Sequence, residues 1–446
     1  MLVISSEPVG EQMAGPAIRS LELARALAAR CEVTLAAPPR SSAEDEPFAL
    51  LEAGLIDFDA LLGAIARHDV VVAQRLPAQL LRHVRRLPVR YVADLYNPIV
   101  MELLEALGGG DGSTRAMRRT SLVVLAQCAA ADFIVCASER QRDLWLGALG
   151  VAGLIDPGAY RLDPTYRHFI DVVPFGIPER PPRPAPVLKG VWPGIEAEDS
   201  VLLWGGGIWR WLDALTPIRA VERLTGEGRR VHLFFLGVDR PSVEPSAVPT
   251  TAAEAVAYAR ERGLEGRFVH FKPGWTPYEE RDPYLLEADV GVSAHHDHLE
   301  ARFSFRTRVL DYLWAGLPVV TTSGDSIGDL VDQHGLGASV APEEADAFAS
   351  ACASLLDDSA LRGEAAARVR ELAPRLRWSE VARPLLDYCV EARERPPARK
   401  DRAVLALATF GQYPVLASQL RSTHGPGEVL RRMGRYVRRA IRHGSA

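Results

Sequence analysis

Cysteine is sparse and unpatterned in this chain. The five residues at 31, 128, 136, 352 and 389 form no C-x-x-C pair and have no histidine at metal-finger spacing. That excludes a disulfide framework and predicts buried free thiols in a reducing compartment. Long apolar runs are missing as well. The longest, 122–131, contains Gln127 and stops at Asp132, far short of a bilayer span. The first residues enter a strand pattern with neither a basic leader nor a secretory apolar core, so a cytoplasmic location is expected. Positive charge is not in excess: 52 Lys and Arg stand against 57 Asp and Glu, a formal net charge of −5. Nucleic acid is therefore not an expected partner.

What the chain does have is length and alternation. Its 446 residues, 48% of them hydrophobic, exceed one ordinary domain and suit two of about 180–200 residues each. Short apolar, β-branched runs fall at 2–4, 33–36, 70–72, 90–93, 133–135 and 170–173. After a proline-rich stretch, 174–186, which reads as a stiff extended linker, they resume at 201–204, 231–236, 268–271, 290–292, 319–321 and 338–340. Amphipathic helical patterns separate them, which predicts parallel sheets covered on both faces. The expected fold class is α/β, with two Rossmann-like, doubly wound domains, 1–175 and 187–375, facing across a cleft. Ligands in such sheets bind beyond the carboxyl ends of the strands, so the cleft is the expected site.

The segment 300–325 carries the most chemistry. If one helix runs back to Glu300, then Glu300, Ser304, Arg308 and Asp311 share a stripe. A helix N-terminus near Ser304, flanked by Arg306 and Arg308, would seat a diphosphate, and Asp311 would hold ribose hydroxyls. The alternative is a plain amphipathic helix with an Arg308–Asp311 salt bridge, docked through Val309, Leu310 and Leu313; spacing leaves both standing. At 205–207 three glycines follow a strand and allow close backbone approach to a sugar or its phosphates. Arg210 is the cation of that loop, and Trp209 and Trp211 offer flat faces to a sugar or to the core. Lys272, the next lysine along, joins the nucleotide-binding candidates. Near the N-terminus, Gly10 and Gly15 precede a helix opened by Pro16. No Lys-Ser/Thr follows, so this is a ligand-approach loop or an ordinary βα turn, not a Walker loop.

Asp94 ends a strand, where it faces a cleft or caps the helix near Pro98 together with Asn97. Ser138 and Glu139 read as a cap. His295, His296, Asp297 and His298 have ligand chemistry, but consecutive residues on an irregular segment rarely converge on one ion, so no metal site is predicted. Finally, 427–442 combines an apolar stripe (Val429, Leu430, Met433, Tyr436, Val437) with six arginines. It reads either as a helix docking on the first domain or as a basic helix on an anionic membrane.

The run Asp311-Tyr-Leu-Trp-Ala-Gly-Leu-Pro-Val-Val resembles the signature of retaining glycosyltransferases of the GT4 family, which have the GT-B fold. Two weaker matches, 10–38 and 172–178, extend the resemblance over 1–385. It implies a retaining, metal-independent, hexosyltransferase-type enzyme that moves a sugar from a nucleotide-diphosphate sugar to an acceptor hydroxyl. Glycan, lipopolysaccharide or capsule, and natural-product synthesis are the expected settings. No cofactor beyond the donor substrate is implied, and 376–446 is expected to return to the first domain as crossing helices.

The family's acidic ribose ligand, five residues before the glycine, corresponds to Asp311 before Gly316. Its partner glutamate falls at Phe303, which leaves Glu300 as the substitute. The family's loop arginine is replaced by Gly207 and Ile208, next to Gly206, so Arg210, Arg306 or Arg308 would stabilise the leaving group. Gly15 would lie over donor sugar and acceptor, and Asp94 stands where relatives carry a histidine. A lipid-linked acceptor is the partner implied if 427–442 meets a membrane. A nucleotide-sugar epimerase and a non-catalytic nucleotide-binding subunit are the competing readings.

Overall fold

The computed structural model describes residues 1–107, 111–237, 250–394, 403–408 and 411. It divides into two compact units. The first holds Met1–Pro8, Leu23–Val173 and the described residues from Pro384 on; the second holds Val9–Glu22 and Pro174–Arg383. The second unit takes up the chain at Pro174, and Val9–Glu22 groups with it rather than with the first.

The first unit is built on seven parallel strands: β1 (Leu2–Ile4), β2 (Thr34–Ala37), β3 (Ala49–Glu52), β4 (Val70–Ala73), β5 (Arg90–Asp94), β6 (Phe133–Cys136) and β7 (Ile170–Val172). Their order is β3-β2-β1-β4-β5-β6-β7. β1, β4 and β6 are buried along their whole length, as strands covered by helices on both faces must be. β3 escaped the sequence reading because it is an edge strand of sequence Ala-Leu-Leu-Glu, with no β-branched residue and both ends exposed. Ser138 caps the helix Glu139–Val151 by accepting from Gln141 N at 3.2 Å, as expected. Residues beyond Pro384 pack in this unit: Tyr388 stacks on Phe133, centroids 4.4 Å apart, and Arg90 Nε donates to Ala392 O at 3.1 Å. The stretch 427–442 lies outside the described residues. Among those described, no helix is long and apolar enough to cross a membrane.

The second unit carries six parallel strands: β8 (Ser200–Trp204), β9 (Val231–Phe235), β10 (Val269–Phe271), β11 (Val290–Ser293), β12 (Val319–Thr322) and β13 (Gly337–Val340). Their order is β10-β9-β8-β11-β12-β13. Strand order reverses between β8 and β11, which pair through Gly291 and Leu203. A crevice forms at such a switch point because the two following connections leave toward opposite faces. The loops after β8 and β11 are the 205–207 glycines and the segment that leads to Glu300.

The proline-rich stretch is pinned to the second unit. Gly176 packs on Trp378, where an added Cβ would come within 2.8 Å of the indole, and Ile177 N bonds Leu376 O at 2.8 Å. Four of the five cysteines are buried free thiols; Cys31, at the end of the first helix, is half-exposed, a departure from the expected burial.

Candidate active site

The helix Thr307–Trp314 organises the switch point. Tyr312 projects beneath it, and its hydroxyl accepts from Gly205 N at 2.7 Å and donates to Val292 O at 2.8 Å. Gly291 makes room for the ring: a Cβ there would sit 2.4 Å from it. Gly206 has φ +77°, a conformation that L side chains rarely adopt, and Gly207 lies under Trp209, 2.9 Å from where its Cβ would be. Two of the three glycines are thus required by local geometry before any ligand is considered.

Arg308 rises from the first turn of the same helix to this loop. Its Nη2 donates to Gly207 O at 2.8 Å, and its guanidinium carbon lies 4.5 Å from the Trp204 ring centroid. Nη1 is buried with no hydrogen-bond partner, and among the described residues no carboxylate lies within ion-pair distance. Burial pulls its pKa down to about 10, Arg306 repels it further, and Tyr312 and Asp311 only partly offset this. A guanidinium stays protonated at neutral pH, so the lowered value marks a buried cation without its anion.

The single helix expected from Glu300 onward does not form. Two helices, Leu299–Phe303 and Thr307–Trp314, are separated by extended backbone at Ser304 and a break at Arg306. The expected stripe is thereby corrected, and the helix N-terminus lies at Thr307, not beside Ser304. The break lets Arg306 fold back on Glu300, with bonds of 3.0 and 2.7 Å to its two oxygens, while the Ser304 hydroxyl donates to the same carboxylate. Glu300, Ser304 and Arg306 are all buried. Arg306 is therefore neutralised inside the protein, and Glu300 is its counter-charge. The Arg308–Asp311 salt bridge is also corrected: Asp311 pairs with Arg281 at 3.0 Å.

The histidine run divides its work. His298 Nδ1 accepts from Ala301 N at 3.1 Å and caps a helix, and His296 meets Glu343 on the surface at 2.8 Å. His295 is buried, and its Nδ1 donates to His296 O at 3.0 Å, which leaves Nε2 as the lone-pair nitrogen. Burial, with Arg306 nearby, pushes its pKa down to about 4. Among the described residues no group of His, Cys, Asp or Glu is arranged to hold a metal ion.

Several buried polar atoms collect here without a protein hydrogen bond: Ser293 Oγ, Thr321 Oγ1, His298 Nε2 and Arg308 Nη1, while His295 Nε2 and Arg306 Nε face the buried Asp325 carboxylate at 3.6 and 3.5 Å. Ser293 and Thr321 are register partners at the carboxyl ends of β11 and β12. Buried polar groups are otherwise almost always satisfied, so a concentration of exceptions on one end of one sheet marks a place built to meet a polar ligand.

The remaining candidates lie on several other elements. Arg210 is exposed, and Trp209 and Trp211 stack on each other at 6.2 Å against the core. Lys272 follows edge strand β10, two strands from the switch point. Gly15 opens the helix Gly15–Ala28. Asp94 is buried at the end of β5 in the first unit, and the helix Ile99–Ala106 starts behind Pro98. Sequence reasoning missed Arg281, Tyr312 and Trp314. Arg281 sits in a Glu-Glu-Arg-Asp-Pro string that reads as a solvated turn, and nothing local signals its burial.

Residues 199–358 match the family described as Glycosyl transferases group 1. The match lies wholly within the second unit. A D-inositol 3-phosphate glycosyltransferase of Xylanimonas cellulosilytica is 28% identical over 210 residues, 46% of this chain and 46% of that protein. The chain thus spans about half the length of this curated relative. Two solved structures are similar in fold over most of the chain. One is sucrose-phosphate synthase from Thermosynechococcus elongatus (16% identity, TM-score 0.60, 88% of this chain and 98% of that one). The other is Anabaena HepE in complex with UDP and glucose (13% identity, TM-score 0.64, 89% and 99%). Two parallel α/β domains of this kind are the GT-B fold, as the sequence reading expected.

Proposed function

We propose that this group 1 protein transfers a sugar from a nucleotide-diphosphate sugar to an acceptor hydroxyl, with retention at the anomeric carbon. The observation that carries the reading is Arg308, a half-buried cation whose Nη1 is inaccessible to solvent and which meets no carboxylate among the described residues, laid along a glycine loop at the sheet's switch point. The diphosphate would meet Arg308 Nη1, the amides of Gly206 and Gly207 and the N-terminal turn at Thr307. Asp311 would take the ribose hydroxyls.

As the glycosidic bond breaks, negative charge grows on the departing phosphate oxygen. A fixed cation in a site shielded from water stabilises that charge without reorganising, an effect of roughly 3–4 kcal/mol for one good donor. The acceptor hydroxyl attacks the face from which the diphosphate leaves and passes its proton to a phosphate oxygen, so no protein nucleophile is required. Arg306 serves from behind: bound to Glu300, it supports the architecture around Arg308. Fixed cations and a helix terminus make the reading metal-independent. Asp94, in the first unit, is the acceptor-side candidate.

A calorimetric panel of UDP, GDP and ADP, followed by the matching nucleotide sugars with an acceptor library, tests this. One base should bind preferentially, and product NMR should show the donor's anomeric configuration. Failure of all three diphosphates to bind, or an inverted product, would overturn it.

A further inference from the structure

Resting on that reading, we infer that Arg281 is the positioning residue for Asp311: it holds the ribose-facing carboxylate ionised and in one orientation. Asp311 and Trp314 stand three residues apart on the helix Thr307–Trp314 and so share a face. Arg281 lies against both. Its Nη2 is 3.0 Å from Asp311 Oδ1, and its guanidinium carbon is 5.0 Å from the Trp314 ring centroid. The same carbon lies 3.7 Å from the Tyr278 ring centroid, and Nη1 donates to the Tyr278 carbonyl oxygen.

The two rings are themselves fixed. Tyr278 is buried and its hydroxyl donates to Glu22 Oε1 at 3.2 Å. Trp314 Nε1 donates to Arg180 O at 2.7 Å, and Arg180, lying 5.0 Å over the indole, is tied to Asp282 and to Glu279. A stack anchored at Tyr278 and Trp314 leaves the Arg281 guanidinium little freedom.

The arrangement has the asymmetry expected of a positioning pair. Arg281 shows 7% of its side chain to solvent and Asp311 shows 30%. The cation is desolvated against aromatic faces, where its attraction for a nearby carboxylate is strongest. Asp311 is gripped from the protein side and open on the other. Burial raises the Asp311 pKa and the Arg281 charge beside it opposes that rise, which favours a carboxylate able to accept vicinal hydroxyls. A salt bridge whose only role was stability would need no such open edge.

The test uses the full chain and the nucleoside diphosphate that binds it most tightly among UDP, GDP and ADP, compared by calorimetry with its 2′,3′-dideoxy form. The wild type is expected to prefer the ribose form by about tenfold or more, the scale of a charge-assisted hydrogen bond. In Arg281→Gln that ratio should collapse to about twofold while dideoxy affinity stays level, because a loosened Asp311 affects only the hydroxyls. Arg281→Lys keeps the charge but not the plane and should fall between the two; it carries the test if the glutamine variant does not fold. A folded Arg281→Gln or Arg281→Lys protein with the wild-type ratio overturns the assignment. A wild type that binds the diphosphate without any ribose preference overturns the Asp311 reading itself, and that result appears before any variant is made.

Discussion

The hydroxyl of Tyr312 accepts the amide of Gly205 at 2.7 Å, joining the helix after β11 to the loop after β8. The same hydroxyl donates to Val292 O, so one phenol satisfies two strand ends at the switch point. Tyr312→Phe should cost about 1–3 kcal/mol, because it leaves a buried donor and a buried acceptor unmet. Urea unfolding measures the loss. Diphosphate affinity should fall with it as the glycine loop loosens; a variant with wild-type stability and affinity would show that the bond does not set the loop.

Arg308→Gln separates function from stability. An unpaired buried charge is a burden on the fold, so its removal should leave the melting temperature level or raised. The rate of sugar transfer should drop by about 10²–10³-fold. A lower melting temperature with an unchanged rate would make Arg308 a structural cation.

Asp311→Asn should destabilise as well as weaken nucleotide binding. It removes the counter-charge of Arg281, whose pKa burial opposes but Asp311 and Tyr278 hold above the ordinary arginine value. Loss of one partner of a buried pair costs about 3–5 kcal/mol, reduced here because Asp311 is partly exposed and asparagine can still accept a hydrogen bond. Thermal melts with and without diphosphate resolve the two effects. Stability within about 0.5 kcal/mol of the wild type would mean that the pair is loose in solution.

Stability should decline on mild acidification. His232 and His270 are buried side by side on β9 and β10, ring nitrogens 3.1 Å apart, and His232 also contacts Asp199 at 3.0 Å. Burial, helped by His232, pushes His270 down to about 4. The unfolded chain takes up that proton near pH 6.5 and the folded chain does not. Stability is therefore complete above about pH 6.5, falls as the pH drops toward 4, and loses about 3 kcal/mol through this group. Asp199, held at about 2 chiefly by Arg230, contributes in a lower window, between its ordinary 3.8 and that value. His270→Gln should flatten the decline between pH 6.5 and 4 in urea titrations; an unchanged slope would place the proton uptake elsewhere, at His295 first.

Transfer should persist in EDTA without added divalent ions, since Arg308 and the helix N-terminus supply the positive charge. Abolition by EDTA with recovery on Mg²⁺ or Mn²⁺ would refute the proposed leaving-group stabilisation.

Alternation of apolar strands with amphipathic helices, a proline-rich break and a Gly-Leu-Pro block were enough to read two doubly wound domains and a group 1 likeness. These are local patterns: strand burial needs only a continuous apolar run, and a tight turn needs only its glycine. Strand limits came within one or two residues, except at β3, whose edge position relaxes the demand for β-branched side chains. The site was legible as a set of residues but not as a set of pairs. Sequence spacing put Arg308 with Asp311; the fold gave Arg308 to Gly207, Asp311 to Arg281, and Arg306 to Glu300. Charged side chains choose partners by distance in space, and a break of three residues at 304–306 was enough to turn Arg306 inward. Sequence alone thus determined the strand–helix alternation and most of the strands. Only the tertiary structure decided which cation remains without a counter-charge, because neutralisation depends on through-space contacts that no periodicity encodes.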